Sequence, residues 1–156
     1  MLTLLVLSGT VQAEWRVESG PGQTLMVELF TSQGCSSCPP AEAFLIRFRD
    51  NPRLWSSFIP VAFHVDYWDY LGWKDRYALD ENDLRQRRYA RLGHVRGVYT
   101  PGFMVNGRGW RPGWFAREPK LAERAVGRLS VSIDKGWLSA SFTPSGEEIA
   151  AVPLEL

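Results

Sequence analysis

The chain has 156 residues, 18 basic and 17 acidic side chains, a formal charge of +1 and 45% hydrophobic residues. That length supports one domain, or one plus a fragment of another, and buries a core without disulfide staples. Near-neutral charge argues against a protein held on nucleic acid or anionic lipid by bulk electrostatics. Two Cys exclude a disulfide-dense scaffold and leave a single internal bridge.

Leu2 to Leu7 is an apolar tract that continues more weakly to Val11, and Val11-Gln12-Ala13 follows where a signal peptidase would cut. Residues 1–13 therefore read as a signal peptide, too short to span a bilayer. Its n-region is atypical, because no Lys or Arg precedes the apolar tract. The competing reading is a buried N-terminal strand. Nothing later approaches eighteen consecutive apolar residues, so no membrane span is expected in the mature protein. Export to the periplasm or beyond is the expected destination, where a disulfide persists.

Leu25 to Phe30 is a nearly continuous apolar run that suits a strand covered on both faces. Thr31-Ser32-Gln33-Gly34 reads as a loop. Pro39 and Pro40 suit the first turn of a helix whose apolar face is Ala41, Phe44, Leu45 and Phe48, and Asn51-Pro52 ends it. A second strand over Ile59 to Val65 completes a β-α-β unit with a parallel pair. Residues 66–98 read as mostly helical, with Asp80 as an N-cap and a stripe of Leu84, Arg88 and Leu92. Phe103-Met104-Val105 enters an Asn106-Gly107 hairpin turn, with a return strand over Arg108 to Arg111. Leu121, Ala125 and Leu129 give a weaker helical period after a start near Trp114. Leu129 to Phe142 alternates around Asp134-Lys135-Gly136, a second hairpin signal. Ile149 to Leu156 reads as a further strand. The fold class expected is α/β.

Chemistry concentrates in Cys35-Ser36-Ser37-Cys38, between a strand and a helix start. A helix N-terminus favours thiolate over thiol through its free N–H groups and partial positive charge. Cys35 is then the nucleophile of thiol–disulfide exchange and Cys38 the resolving thiol. Three other readings compete. A structural staple is a poor one, since so short a loop contributes about 2 kcal/mol, against about 4 for loops of many tens of residues. A zinc module does not fit the spacing, although Cys35, Cys38 and His64, His94 or Met104 would suit Cu(I). Two inert thiols do not fit an oxidising compartment. Thr100-Pro101 precedes a strand, where a cis bond would expose the Thr100 backbone to an extended substrate. An ordinary trans Pro at a strand entry is the alternative.

In this order, the strand, Cys35-Ser36-Ser37-Cys38, helix, second strand, Thr100-Pro101 and Asn106-Gly107 hairpin resemble the thioredoxin fold over residues 24–128. In that fold a cis-proline loop faces the redox cysteines. Three stretches, from Val27 to Glu42, from Phe63 to Asp75, and Val98-Tyr99-Thr100-Pro101, resemble a family of exported bacterial proteins of unknown function, DUF1223, in the thioredoxin-like superfamily. The resemblance implies fold and export but no established activity. Family members usually continue into a C-terminal β-rich region. Residues 129–156 are accordingly expected to be a partial, truncated β extension. Departures from thioredoxin are a Ser-Ser spacer, a longer stretch before Thr-Pro, and Glu28 at a different offset from the buried acid of that fold.

Glu28 and His64 are candidates for proton transfer, each with a structural alternative: a strand residue reaching solvent or a salt bridge for Glu28, a hydrogen-bonded strand residue for His64. Tyr67 and Trp68, with Thr100 and Pro101, are candidates for substrate binding. The aromatic run from Tyr67 to Trp73 follows a strand end that borders ligand crevices in α/β sheets, and a structural loop is the equal alternative. The Arg85, Arg87, Arg88, Arg91 and Arg96 cluster reads as a solvated helix face with intramolecular ion pairs. The expected function is thiol–disulfide exchange with protein or small-molecule thiols and disulfides, with no resident cofactor or metal and no nucleic acid. The rivals are a non-catalytic periplasmic binding protein, Cu(I)-binding through the same cysteines, and a degenerate fragment.

Overall fold

The structure is a computed structural model that describes residues 15–112, 118–121 and 125–146. Its strands are β1 Trp15–Glu18, β2 Leu25–Thr31, β3 Phe58–His64, β4 Gly102–Val105, β5 Arg108–Trp110, β6 Gly127–Asp134 and β7 Trp137–Pro144; its α-helices are α1 Pro39–Ile46 and α2 Asp80–Arg91. The architecture is α/β with two separate sheets. The chain divides into two units, Gln23–Glu123 and the sequence flanking it on both sides. The signal-peptide tract, Trp114 and the strand expected over Ile149 to Leu156 lie outside the described residues.

The larger unit is built on a four-stranded sheet of order β3-β2-β4-β5. β2 pairs in parallel with β3, from Leu25 opposite Phe58 to Thr31 opposite His64, and antiparallel with β4. Period-two alternation sends successive β2 side chains to opposite faces. Val27 and Leu29 join Phe44 and Phe48 of the α1 side in one core cluster, with Phe58 and Phe103. Phe30 joins Val65 and Met104 in another, flanked by Tyr67, Trp68 and Tyr89. Covering both faces explains why β2 is apolar almost without interruption. Pro60 sits in β3, an outer strand, where a missing N–H costs no ladder bond. Asn106 and Gly107 have φ of 46° and 76°, the left-handed pair that a two-residue hairpin turn between β4 and β5 requires.

Two sequence expectations need correction. Leu79, not Asp80, is the N-cap of α2; Asp80 is the first helical residue. The buried face of α2 is Asp83 and Gln86, while Leu84 and Leu92 are exposed. The helix turns polar groups inward because it faces buried Glu28 and loop backbone, which need hydrogen-bond partners. The helical period through Ala125 and Leu129 does not hold either. Ala125 forms a β-bridge with Gly22, and Leu129 lies in β6. A spacing of four satisfies an alternating strand as well as a helix, so that pattern did not discriminate.

The second unit holds a three-stranded antiparallel sheet of order β1-β6-β7. β6 and β7 form the expected hairpin, with Lys135 and Gly136 at positive φ in its turn. β1, unannounced by the sequence reading, pairs Trp15 to Glu18 with Ile133 to Ser130.

Candidate redox site

After β2 the chain turns twice before entering α1. The Cys35 N–H donates to the Ser32 carbonyl at 3.0 Å and the Cys38 N–H to the Cys35 carbonyl at 3.2 Å. These turns bring Cys35 and Cys38 together, and their sulfurs are joined in a disulfide. Cys38 is the N-cap of α1, and Pro39 and Pro40 fill its first two positions. The prolines fit there because helix-start N–H groups lack intrahelical acceptors. They also remove two donors that a thiolate would otherwise face, and the Cys35 N–H is already used. The electrostatic help the sequence suggested at the helix mouth is thereby reduced. The Ser37 hydroxyl lies 3.6 Å from the Cys35 sulfur and supplies a polar neighbour instead.

The two cysteines differ in access. Cys38 is fully buried, whereas Cys35, 3% exposed, lines a cleft of about 330 Å³. Leu29, Leu45, Ile46 and Ala62 supply apolar wall, and Glu42 and His64 line the same cleft. Thr31 and His64 are register partners on adjacent parallel strands, which puts both side chains on the α1 face. The Thr31 hydroxyl donates to Glu42 Oε1 at 2.6 Å and fixes that carboxylate to the cleft wall.

His64 is held from behind. Its Nδ1 lies 2.7 Å from Asp75 Oδ2, and Asp75 is buried. The same carboxylate accepts the N–H groups of Gln33, at 2.8 Å, and Tyr77, at 2.9 Å. Burial pushes the Asp75 pKa up, but the hydrogen bonds from His64, Gln33 and Tyr77 outweigh it and hold the group below its ordinary value. Trp73 Nε1 donates to Gln33 Oε1, and Asp69 accepts the Asp75 N–H. The segment following β3 therefore braces the loop that carries Cys35. Asp75 was not singled out in the sequence, because its partners lie eleven and forty-two residues away.

Thr100-Pro101 is a cis peptide bond. Phe30 pairs with Gly102, so antiparallel register brings Pro101 to the end of β2 from which the cysteine loop leaves. Trp68 links the two loops: its Nε1 donates to Thr100 Oγ1 at 2.7 Å, and a Cβ added to Gly34 would lie 3.0 Å from Trp68 Cβ. Tyr67 donates to Gln86 Oε1 at 3.1 Å, and Gln86 Nε2 donates to the Tyr99 carbonyl at 2.7 Å. Burial, with the Asp83 carboxylate adding to it, pushes the Tyr67 phenol up to about 12. Tyr67 and Trp68 pack on the Phe30 cluster, while Tyr70 and Trp73 are exposed. The aromatic run is thus divided between brace and surface. Gln86 is a positioning residue missed by sequence reasoning, since a Gln in a charged helix carries no signal.

Glu28 faces away from this cleft. It lies on the α2 side of the sheet, 1% exposed, and its carboxylate accepts from Arg85 Nε at 2.7 Å and from the Tyr89 hydroxyl at 3.0 Å. These contacts match its salt-bridge alternative. Arg87 pairs with Asp83 at 3.8 Å, so part of the arginine cluster forms the expected intramolecular ion pairs. For the Cu(I) alternative, His94 stacks on Tyr89 and Met104 is buried against Phe30. Among the described residues, no three His, Cys, Asp or Glu side chains gather as a metal site.

No helix of the described residues is long and apolar enough to cross a membrane. No curated protein matches the chain. An X-ray crystal structure of a protein from Agrobacterium tumefaciens is 44% identical over a match covering 58% of this chain and 39% of that one, with a TM-score of 0.49. The chain thus spans about two fifths of the length of that relative. The model of the family described as protein of unknown function DUF1223 matches residues 26–134. The chain that carries this cleft and its disulfide belongs to the DUF1223 family.

Proposed function

We propose that this chain is an exported thiol–disulfide oxidoreductase with a thioredoxin-like fold. One observation carries the reading: the two cysteines form a disulfide at the start of α1, with Cys35 on the wall of a cleft and Cys38 sealed beneath. That asymmetry suits a sulfur that is attacked and a sulfur that leaves. A thioredoxin-like fold is supported by the parallel β2-α1-β3 unit, the antiparallel β4-β5 hairpin and the β3-β2-β4-β5 order. Export is supported by the apolar tract from Leu2 to Leu7 and by a disulfide, which persists outside the reducing cytoplasm.

An incoming thiolate RS⁻ attacks Cys35, forming Cys35–S–S–R and releasing the Cys38 thiolate, which takes up a proton. A second RS⁻ then attacks the R-bearing sulfur, giving RSSR and the Cys35 thiolate. In sum the protein disulfide and two RSH become the dithiol and RSSR, a two-electron exchange that also runs in reverse. Because Nδ1 of His64 is occupied by Asp75, Nε2 is the ring nitrogen left to exchange protons with the cleft. Thr100 and Pro101 border the same sheet end as an acceptor edge for the substrate.

Mixed-disulfide trapping tests this reading. Cys38→Ser is expected to retain adducts through Cys35 when challenged with periplasmic extract or small disulfides. No Cys35-linked adduct from either source would overturn it. The mass of the protein recovered from the periplasm tests export, with loss of residues 1–13 expected.

A further inference from the structure

The cleft beside Cys35 has a chemical character of its own. At about 330 Å³ it lies at the small end of ligand pockets, which run roughly 300–1,000 Å³. Its residues include one carboxylate, Glu42, and no lysine or arginine among the described residues that line it. Glu42 is fixed by the Thr31 hydroxyl through Oε1, and Thr31 is fully buried. A tethered carboxylate needs little ordering to meet a ligand charge. Leu29, Leu45 and Pro39 line the same cleft as Glu42 and Cys35 and supply apolar surface.

We propose that this cleft selects low-molecular-mass disulfides and thiols that carry an ammonium group a short apolar linker away from sulfur. The inference rests on the redox reading above and names its substrate class. The sulfur of such a ligand meets Cys35, the methylenes lie along the apolar wall, and the ammonium meets Glu42. Reduced protein then exchanges as follows: the Cys35 thiolate attacks RSSR and releases RS⁻, and the Cys38 thiolate attacks Cys35 and releases the second RS⁻. The protein loses two electrons to form its disulfide, RSSR gains them as two RSH, and the protons come from the Cys35 and Cys38 thiols. An anionic ligand places its carboxylate against Glu42 and is disfavoured.

The test is the rate at which pre-reduced protein is oxidised by cystamine (cationic), hydroxyethyl disulfide (neutral) and dithiodiglycolate (anionic). Each rate is divided by that of free cysteine with the same reagent, which removes intrinsic reactivity. Cystamine is expected to exceed the neutral reagent by about five-fold, the factor one unit-charge contact in water supplies. The preference should shrink at high salt and vanish in Glu42→Gln, whose amide oxygen still accepts from Thr31. Equal normalised rates for all three reagents would overturn charge selection while leaving the redox reading intact. Failure of every reagent to oxidise the dithiol would overturn both. Should Glu42→Gln fold poorly, the salt dependence of the unaltered protein decides the matter.

Discussion

Asp75 joins His64 to the cysteine loop: one buried carboxylate accepts from the His64 ring at 2.7 Å and from the Gln33 N–H at 2.8 Å. Gln33 stands two residues before Cys35, so the ring that lines the cleft and the loop that delivers the sulfur share one anchor. Asp75→Asn keeps an acceptor oxygen but puts an NH₂ group where the carboxylate took further donors. A loss of about 2 kcal/mol is expected at neutral pH in urea unfolding, within the range for leaving buried partners unsatisfied. The pH dependence has a definite sign. The Asp75 pKa is lower in the folded state, so its contribution is complete above the ordinary value of 3.8 and disappears as pH falls through the folded value. The variant should lack that part of the acid transition.

The Tyr67 phenol, raised from 10.0 to about 12, makes the opposite prediction at high pH. Its folded pKa exceeds the unfolded one, so its stabilisation is present below 10.0 and is lost as pH rises toward 12. An ultraviolet difference titration should show a late step above 10.0 to which Tyr67 contributes, together with Tyr89, whose phenol burial also raises. Gln86→Leu removes the acceptor of the Tyr67 hydroxyl and the donor to the Tyr99 carbonyl. Its titration curve should change in that late step alone.

The framework was legible because period-two and helical patterns are local. β2, α1, β3 and the Asn106-Gly107 hairpin each carry their own punctuation, and two cysteines three apart allow one bridge. What escaped is what depends on long-range partners. The legible stripe of α2 was Leu84, Arg88 and Leu92, while the residues it buries are Asp83 and Gln86, because α2 faces a carboxylate and loop carbonyls. Asp75 and Gln86 gain their meaning from residues brought near by the sheet. β1 was missed because its partner β6 lies more than a hundred residues away.

Glu28 and Arg85 offer a test of burial against pairing. Glu28 is 1% exposed and Arg85 lies 2.6 Å from it, with its own side chain 39% exposed. Removing one partner of a buried pair costs about 3–5 kcal/mol, and the partial exposure of Arg85 points to the lower end. Arg85→Met should therefore destabilise by about 3 kcal/mol in denaturant unfolding. Glu28→Met combined with Arg85→Met should recover much of that loss, since no charge then stays buried. A double variant no more stable than Arg85→Met would show that the carboxylate has a structural role beyond the pair. Neither variant should abolish adduct formation by Cys35, because Glu28 lies on the opposite face of the sheet from Thr31.

Gly102 sits where the Thr100-Pro101 loop enters β4, and its lack of a side chain has a measurable reason. A Cβ there would lie 2.8 Å from the Tyr99 carbonyl oxygen and 3.2 Å from Gln86 Nε2. The carbonyl belongs to backbone already bound by Gln86, so it cannot move aside without breaking that bond. Gly102→Ala should cost about 1–3 kcal/mol, the range for overpacking a filled site. Gly97, with nothing within 4 Å of its added Cβ, is the matched control. Gly97→Ala should stay within about 0.5 kcal/mol of the unaltered protein. Because Gln86 also holds Tyr67, Gly102→Ala should shift the late phenol ionisation while Gly97→Ala leaves it in place. Equal unfolding midpoints for the two variants would mean that the loop before β4 yields freely, and that the network from Tyr67 to Tyr99 does not set its position.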